Sequence, residues 1–165
     1  ALEGYVSSRG GKYRMGIYSD TLHEFYGRID GASAYGRRKG ECFSSGLAPA
    51  NGFDRNGPTA LINSLNRFDF KKIPNGINFN LKFYPQTLKG DRGRLILSTL
   101  LKVYFQRGGM QTQINVLDPE ELKKARDNPD LYPNLMVRVS GYTVYFNDLS
   151  PAMKDEIIQR SVLVV

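Results

Sequence analysis

The chain has 165 residues, 41% hydrophobic, 12% aromatic and 24% charged, which is enough apolar content for a folded core and too much for a disordered chain. Its net charge is +7, but the basic clusters Arg37-Arg38-Lys39, Lys71-Lys72 and Lys123-Lys124 are scattered beside turn residues. They carry no nucleic-acid motif and read as solvated surface or as an interface with an acidic chain, so no nucleic-acid partner is expected. No run reaches the ~18 apolar residues of a membrane span. One cysteine, Cys42, and one histidine, His23, exclude a disulfide framework and a convincing metal site.

These features fit a cytoplasmic protein. The opening "ALEGYVSSRGGKYRMG" has no apolar core of a signal peptide. A start on Ala1 reads as a processed chain or part of a longer one. His23, in "DTLHEFYG", has no nucleophile context and reads as a helix-face or interface residue. Residues 31–60 hold six glycines and two prolines, which predicts a long irregular connection. "TALINSLNRFDF" (59–70) suggests a short helix. "GINFNLKFYP" (76–85) alternates Ile77, Phe79, Leu81 and Phe83 with Asn78, Asn80, Lys82 and Tyr84, the pattern of a half-buried strand that Pro85 stops.

The spacing of Leu97, Leu100, Leu101 and Tyr104 predicts a helix over 91–109, ended by Gly108-Gly109. "MQTQINVL" (110–117) alternates as a strand. Asp118 as N-cap, Pro119 at the first helical position and Glu121 as a capping-box partner open a further helix, which Asn128-Pro129 ends. Two extended runs follow, Val137–Val139 and Val144–Phe146, separated by Gly141-Tyr142. Ser150-Pro151 starts a last helix, "PAMKDEIIQRS". From residue 76 the order is β, α, β, α, β, turn, β, α, which makes the chain α/β or α+β. Gly141 is then a turn tip, where positive φ alone would explain a glycine.

"VRVSGYTVYFNDLS" closely resembles the glycyl radical motif of the pyruvate formate-lyase-like enzymes. Arg138, Val139, Ser140, Gly141, Tyr142, Thr143 and Val144 stand at its positions, and Met136 is a mild departure two residues before the arginine. "GLAPANGFDRNGPTALINS", "NFNLKFYPQTL", "GGMQTQINVLDPEELKKARDNPDLYPNLMVRVSGY" and "KDEIIQRS" resemble further segments of the same family in the same order. Together they cover about residues 37–165, nearest to the dehydratase, decarboxylase and carbon–sulfur or carbon–nitrogen lyase branch.

The resemblance implies the C-terminal portion of a ten-stranded α/β barrel with a glycine-radical finger loop. Residues 1–40 would be the last part of the barrel domain and 41–165 the glycine-radical domain. It implies a backbone radical stored on Gly141, buried in the closed barrel, with Arg138, Ser140 and Tyr142 supporting the loop or contacting the activating enzyme. Tyr18, Ser19, Asn78 and Asn80 are candidates for lining a substrate pocket. The radical would be installed by a separate radical S-adenosylmethionine activating enzyme, which alone carries the S-adenosylmethionine and the [4Fe–4S] cluster. The thiyl cysteine, in a Gly-Cys-x-Glu context, would lie in an upstream barrel absent from this sequence. Cys42, in "KGECFSSGLAP", reads as structural or incidental. The implied activity is radical C–X bond cleavage of a small organic substrate by a full-length homodimer, with this fragment alone inactive. The alternative is an autonomous glycyl radical spare part that repairs an oxygen-damaged partner enzyme.

Overall fold

In the computed structural model, residues 4–160 are described. They form five α-helices and four strands: α1 (Leu22–Ile29), α2 (Gly57–Leu65), β1 (Asn80–Phe83), α3 (Gly90–Gln106), β2 (Gln113–Val116), α4 (Pro119–Asp127), β3 (Met136–Arg138), β4 (Thr143–Tyr145) and α5 (Pro151–Gln159). From residue 76 onward the order matches the one read from the sequence. α1 adds a helix the sequence reading did not include: Leu22, Phe25, Tyr26 and Ile29 keep helical spacing, but that stripe is exposed and the buried positions are His23 and Gly27. The helix expected over 59–70 ends at Leu65, and residues 70–72 form a separate 3-10 turn.

β1 and β2 pair in parallel, with Asn80 opposite Gln113 and Lys82 opposite Asn115. A parallel pair needs a crossover, and α3 supplies it. β3 and β4 form an antiparallel hairpin, with Arg138 opposite Thr143. The described residues thus hold two two-stranded sheets and do not themselves close a barrel. Capping is local and chemical. Asp118 accepts the Glu120 N–H at 2.9 Å at the start of α4, and Ser150 accepts the Met153 N–H at 3.3 Å at the start of α5. Such caps satisfy backbone donors that have no partner inside the helix.

Two apolar cores flank the polar face of β1 and β2. One gathers Ile62, Leu65, Phe79, Leu81, Phe83 and Tyr104 between α2, α3 and β1. The other gathers Leu122, Val137, Val139, Phe146 and Ile157 between α4, α5 and the hairpin. The expected half-buried strand is corrected here: all four residues of β1 are buried. Its apolar side faces the first core. Its polar side is covered as well, by the hairpin tip, Ser45 and the end of α5, so alternation in the sequence marks two kinds of partner rather than core and solvent.

The solvated reading of Arg37 is also corrected. Arg37 is buried, donates to the carbonyls of Gly27, Gly31, Arg38 and Glu41, and lies 4.1 Å from the centre of the Phe43 ring. Five donors in a planar fork let one guanidinium satisfy an irregular loop that offers carbonyls but no ladder.

α5 is strapped down by ionic groups. Lys82 Nζ donates to the carbonyls of Ile157 (3.0 Å) and Ile158 (3.1 Å) at the C-terminal end of the helix, where the helix dipole favours a cation. Burial pushes the Lys82 amine down to about 8. Glu156 pairs with Arg160 at 2.9 Å and faces His23 of α1 at 3.4 Å, all three buried. Arg160 also donates to the Val139 carbonyl at 3.1 Å, two residues before Gly141. Burial alone opposes ionisation of Glu156, but its bonds and charge contacts with His23 and Arg160 prevail and hold the carboxyl well below its ordinary range.

Two outcomes are expected. Phe79, fully buried, should lose about 3–5 kcal/mol of stability as Phe79→Ala in denaturant unfolding. Because folding lowers the pKa of Glu156, its share of the stability is complete above the ordinary value of 4.5 and declines as pH falls below it. Glu156→Gln should cost about 3–5 kcal/mol at neutral pH by leaving Arg160 uncompensated. It should also flatten the acid limb of stability against pH.

Candidate functional site

The hairpin tip is a tight loop in which the Val139 N–H bonds the Tyr142 carbonyl at 3.0 Å. Gly141 sits there with φ +94°, a conformation that costs an L-residue roughly 1–2 kcal/mol. Space does not require the glycine, since a Cβ built at Gly141 meets only Gln113 Nε2, at 3.9 Å. One face of its Cα is therefore open. Gly141 and Tyr142 are exposed, while Val139 and Ser140 are fully buried. The tip projects from an anchored base.

The anchor is a set of side-chain amides. Gln113 Oε1 accepts the Gly141 N–H at 2.6 Å, and Gln113 Nε2 donates to Asn78 Oδ1 at 2.7 Å. Asn78 Nδ2 bonds the Ser140 hydroxyl. Two residues further along β2, Asn115 accepts the Arg138 N–H at 3.0 Å and donates to the Arg138 carbonyl at 2.8 Å, acting as a strand neighbour would. Arg138 reaches round the tip, with Nη2 on the Gly141 carbonyl at 3.1 Å and Nη1 on Thr143 Oγ1 at 3.3 Å. Both amide groups flanking the Gly141 Cα are thus engaged, one by a neutral acceptor and one by a cation.

Of the other residues singled out from the sequence, Ser19 accepts the Gly46 N–H at 2.9 Å. Gly46 has φ +61°, and a Cβ there would collide with the backbone of Asn78. Ser19 therefore holds a backbone crossing beneath the amide set. Tyr18 is largely exposed. Partial burial pushes the Tyr142 phenol upward, with a smaller push from Asp20. Asn80 donates to Ser45 Oγ at 2.9 Å and lines a polar cleft with Lys82, Asn115 and Arg160; Asn78 belongs to the anchor instead. Cys42 is partly buried, and burial followed by the charge of Glu156 raises its thiol. His23 serves the contact of α1 with α5.

Gln113, Asn115 and Arg160 escaped the sequence reading. For Gln113 and Asn115 the only signal was polar parity: Asn78 just before β1, Asn80 and Lys82 on β1, and Gln113 and Asn115 on β2 recur every second residue; Arg160, at the end of α5, carried none. That parity becomes informative only once the register sets the two rows on one face.

A family model described as "Glycine radical" matches residues 43–147, most of the chain. The chain is 40% identical over 152 residues to a trans-4-hydroxy-L-proline dehydratase of Clostridioides difficile, an alignment covering 92% of this chain and 19% of that protein. It is also 40% identical over 144 residues to a 4-hydroxyphenylacetate decarboxylase glycyl radical subunit of the same species, covering 87% of this chain and 16% of the other. The structure superposes on glycerol-bound glycerol dehydratase from Clostridium butyricum with a TM-score of 0.95 and 38% identity, covering 99% of this chain and 21% of that one. The chain spans about a fifth of the length of these relatives. With its exposed glycine tip inside the matched region, the chain belongs to the glycine radical family.

Proposed function

We propose that Gly141 stores a backbone radical for the cleavage of a C–X bond in a small organic substrate, as a dehydratase, lyase or decarboxylase. The observation that carries this reading is the tip itself, a glycine with one face of its Cα open and both flanking amides held. Homolysis of one Cα–H bond leaves an unpaired electron shared with the adjacent nitrogen and carbonyl. With no Cβ, the centre flattens freely.

The hydrogen atom leaves to a radical generated from S-adenosylmethionine at the [4Fe–4S] cluster of a separate activating enzyme. Arg138, Ser140 and Tyr142 support the loop or meet that enzyme. Within a full-length homodimer, an upstream barrel supplies the cysteine. Its S–H hydrogen atom returns to Gly141, and the resulting thiyl takes hydrogen from the substrate. Cys42 lacks the Gly-Cys-x-Glu setting of that cysteine, so the fragment alone is inactive. The family match begins at residue 43, which supports taking 1–40 as the end of the barrel domain and 41–165 as the glycine-radical domain. Enclosure of the exposed tip by the barrel would exclude water and oxidants. Tyr18, Ser19, Asn78 and Asn80 are the residues of this chain assigned to the neighbourhood of the substrate, with Ser19 acting through the Gly46 backbone and Asn78 through the side chains of Ser140 and Gln113.

Anaerobic treatment of the full-length protein with the activating enzyme and S-adenosylmethionine is expected to give an electron paramagnetic resonance doublet, absent in Gly141→Ala. No doublet in the wild type would count against the reading. Air exposure of the activated protein is expected to cut the chain at Gly141 and release a C-terminal piece that begins there. Mass spectrometry showing only intact chain would contradict it.

A further inference from the structure

We infer that Gln113 is a positioning residue for the radical, acting through the Gly141 N–H to set how far the unpaired electron spreads and how long it lasts. The inference rests on Gly141 as the radical site and concerns a residue outside the motif.

The geometry has the right sign at both ends. A Cα radical between an amide nitrogen and a carbonyl is stabilised when the nitrogen donates electron density and the carbonyl withdraws it. Gln113 Oε1 accepts the Gly141 N–H at 2.6 Å, drawing the proton away from nitrogen and enriching the donor side. Arg138 Nη2 lies 3.1 Å from the Gly141 carbonyl and polarises the acceptor side. An acceptor at the donor end and a cation at the acceptor end work in concert.

Gln113 is also well placed to act as a fixed part. It is buried, its backbone N–H bonds the Phe79 carbonyl at 2.8 Å, and its Nε2 is held by Asn78. The orientation of its amide is therefore set, with the oxygen toward Gly141. The bond is partly shielded from water, which strengthens it relative to one fully at the surface. Conjugation with the nitrogen requires φ to swing from +94° toward planarity. With the N–H held by Gln113, that swing falls on the carbonyl side, where the Arg138 bond is exposed and free to follow.

The test uses full-length, activated protein and compares wild type with Gln113→Leu, Gln113→Asn and Gln113→Glu. Loss of the acceptor (Leu) or its retraction by one methylene (Asn) is expected to widen the Cα-hydrogen splitting of the doublet, because more spin stays on carbon. It should also speed anaerobic decay by roughly threefold to tenfold, the worth of one hydrogen bond. Gln113→Glu keeps an oxygen acceptor at that reach but loses the Nε2 bond to Asn78, so its lifetime should fall between those of the Asn variant and the wild type. If the Leu variant does not fold, the Asn and Glu variants decide. Unchanged splitting and decay in the acceptor-deficient variants, or a mere loss of spin yield, would overturn the role. So would a Glu variant as short-lived as the Asn one. A wild type that never shows a doublet fails the reading of Gly141 instead, a result distinct from any of these.

Discussion

The arrangement of this chain depends on one demand: the amide-bearing face of the parallel pair β1–β2 is buried and must be satisfied. Asn80, Lys82, Gln113 and Asn115, together with Asn78 just before β1, are all buried, and an unpaired buried polar group costs roughly 1–3 kcal/mol. The glycine hairpin, Ser45 and the end of α5 supply the partners. Because side-chain amides need specific directions, they fix the hairpin in one position where an apolar face would tolerate sliding. Asn115 reads the backbone of Arg138 on both its N–H and C=O, and Gln113 reads the N–H of Gly141.

That anchoring separates two properties that the tip needs together. Val139 and Ser140 are buried and immobilised, yet the next two residues stand clear. Only the last peptide of the turn is presented. The positive φ of Gly141 explains a glycine by conformation alone, and its chemistry explains one independently. The absence of steric pressure on a Cβ matters here: nothing crowds the carbon, so a second reacting group has room to approach. The same turn therefore meets a structural and a chemical requirement with one residue.

The strap formed by α5 extends the anchor from the side chains to the main chain. Lys82 closes two carbonyls at the helix end, and Arg160 carries the helix to the carbonyl of Val139. Glu156 keeps Arg160 in place and reaches across to His23. Buried ion pairs of this kind are modest sources of net stability, since desolvation offsets much of the attraction. Their effect here is geometric: they tie α1, β1, α5 and the hairpin to one another through groups that tolerate no register shift.

The sequence by itself determined the order of elements from residue 76, the caps at Asp118 and Ser150, the turn at Gly141 and, through ordered resemblance, the family. These are local signals, written in spacing and in residues with particular backbone preferences. It also singled out Asn78 and Asn80, but in a strand read as half exposed. It left out α1, although Leu22, Phe25, Tyr26 and Ile29 keep helical spacing, and it placed Arg37 in solvent, since a polar side chain does not say whether a neighbour or water meets it. Gln113, Asn115 and Arg160 were out of reach for the same reason. Polar side chains gain meaning from their partners, and those partners lie 28, 23 and 21 residues away along the chain. Only the tertiary structure brought the two amide rows onto one face and set the glycine against them, because hydrogen-bond satisfaction is a property of the assembled chain and not of any stretch within it.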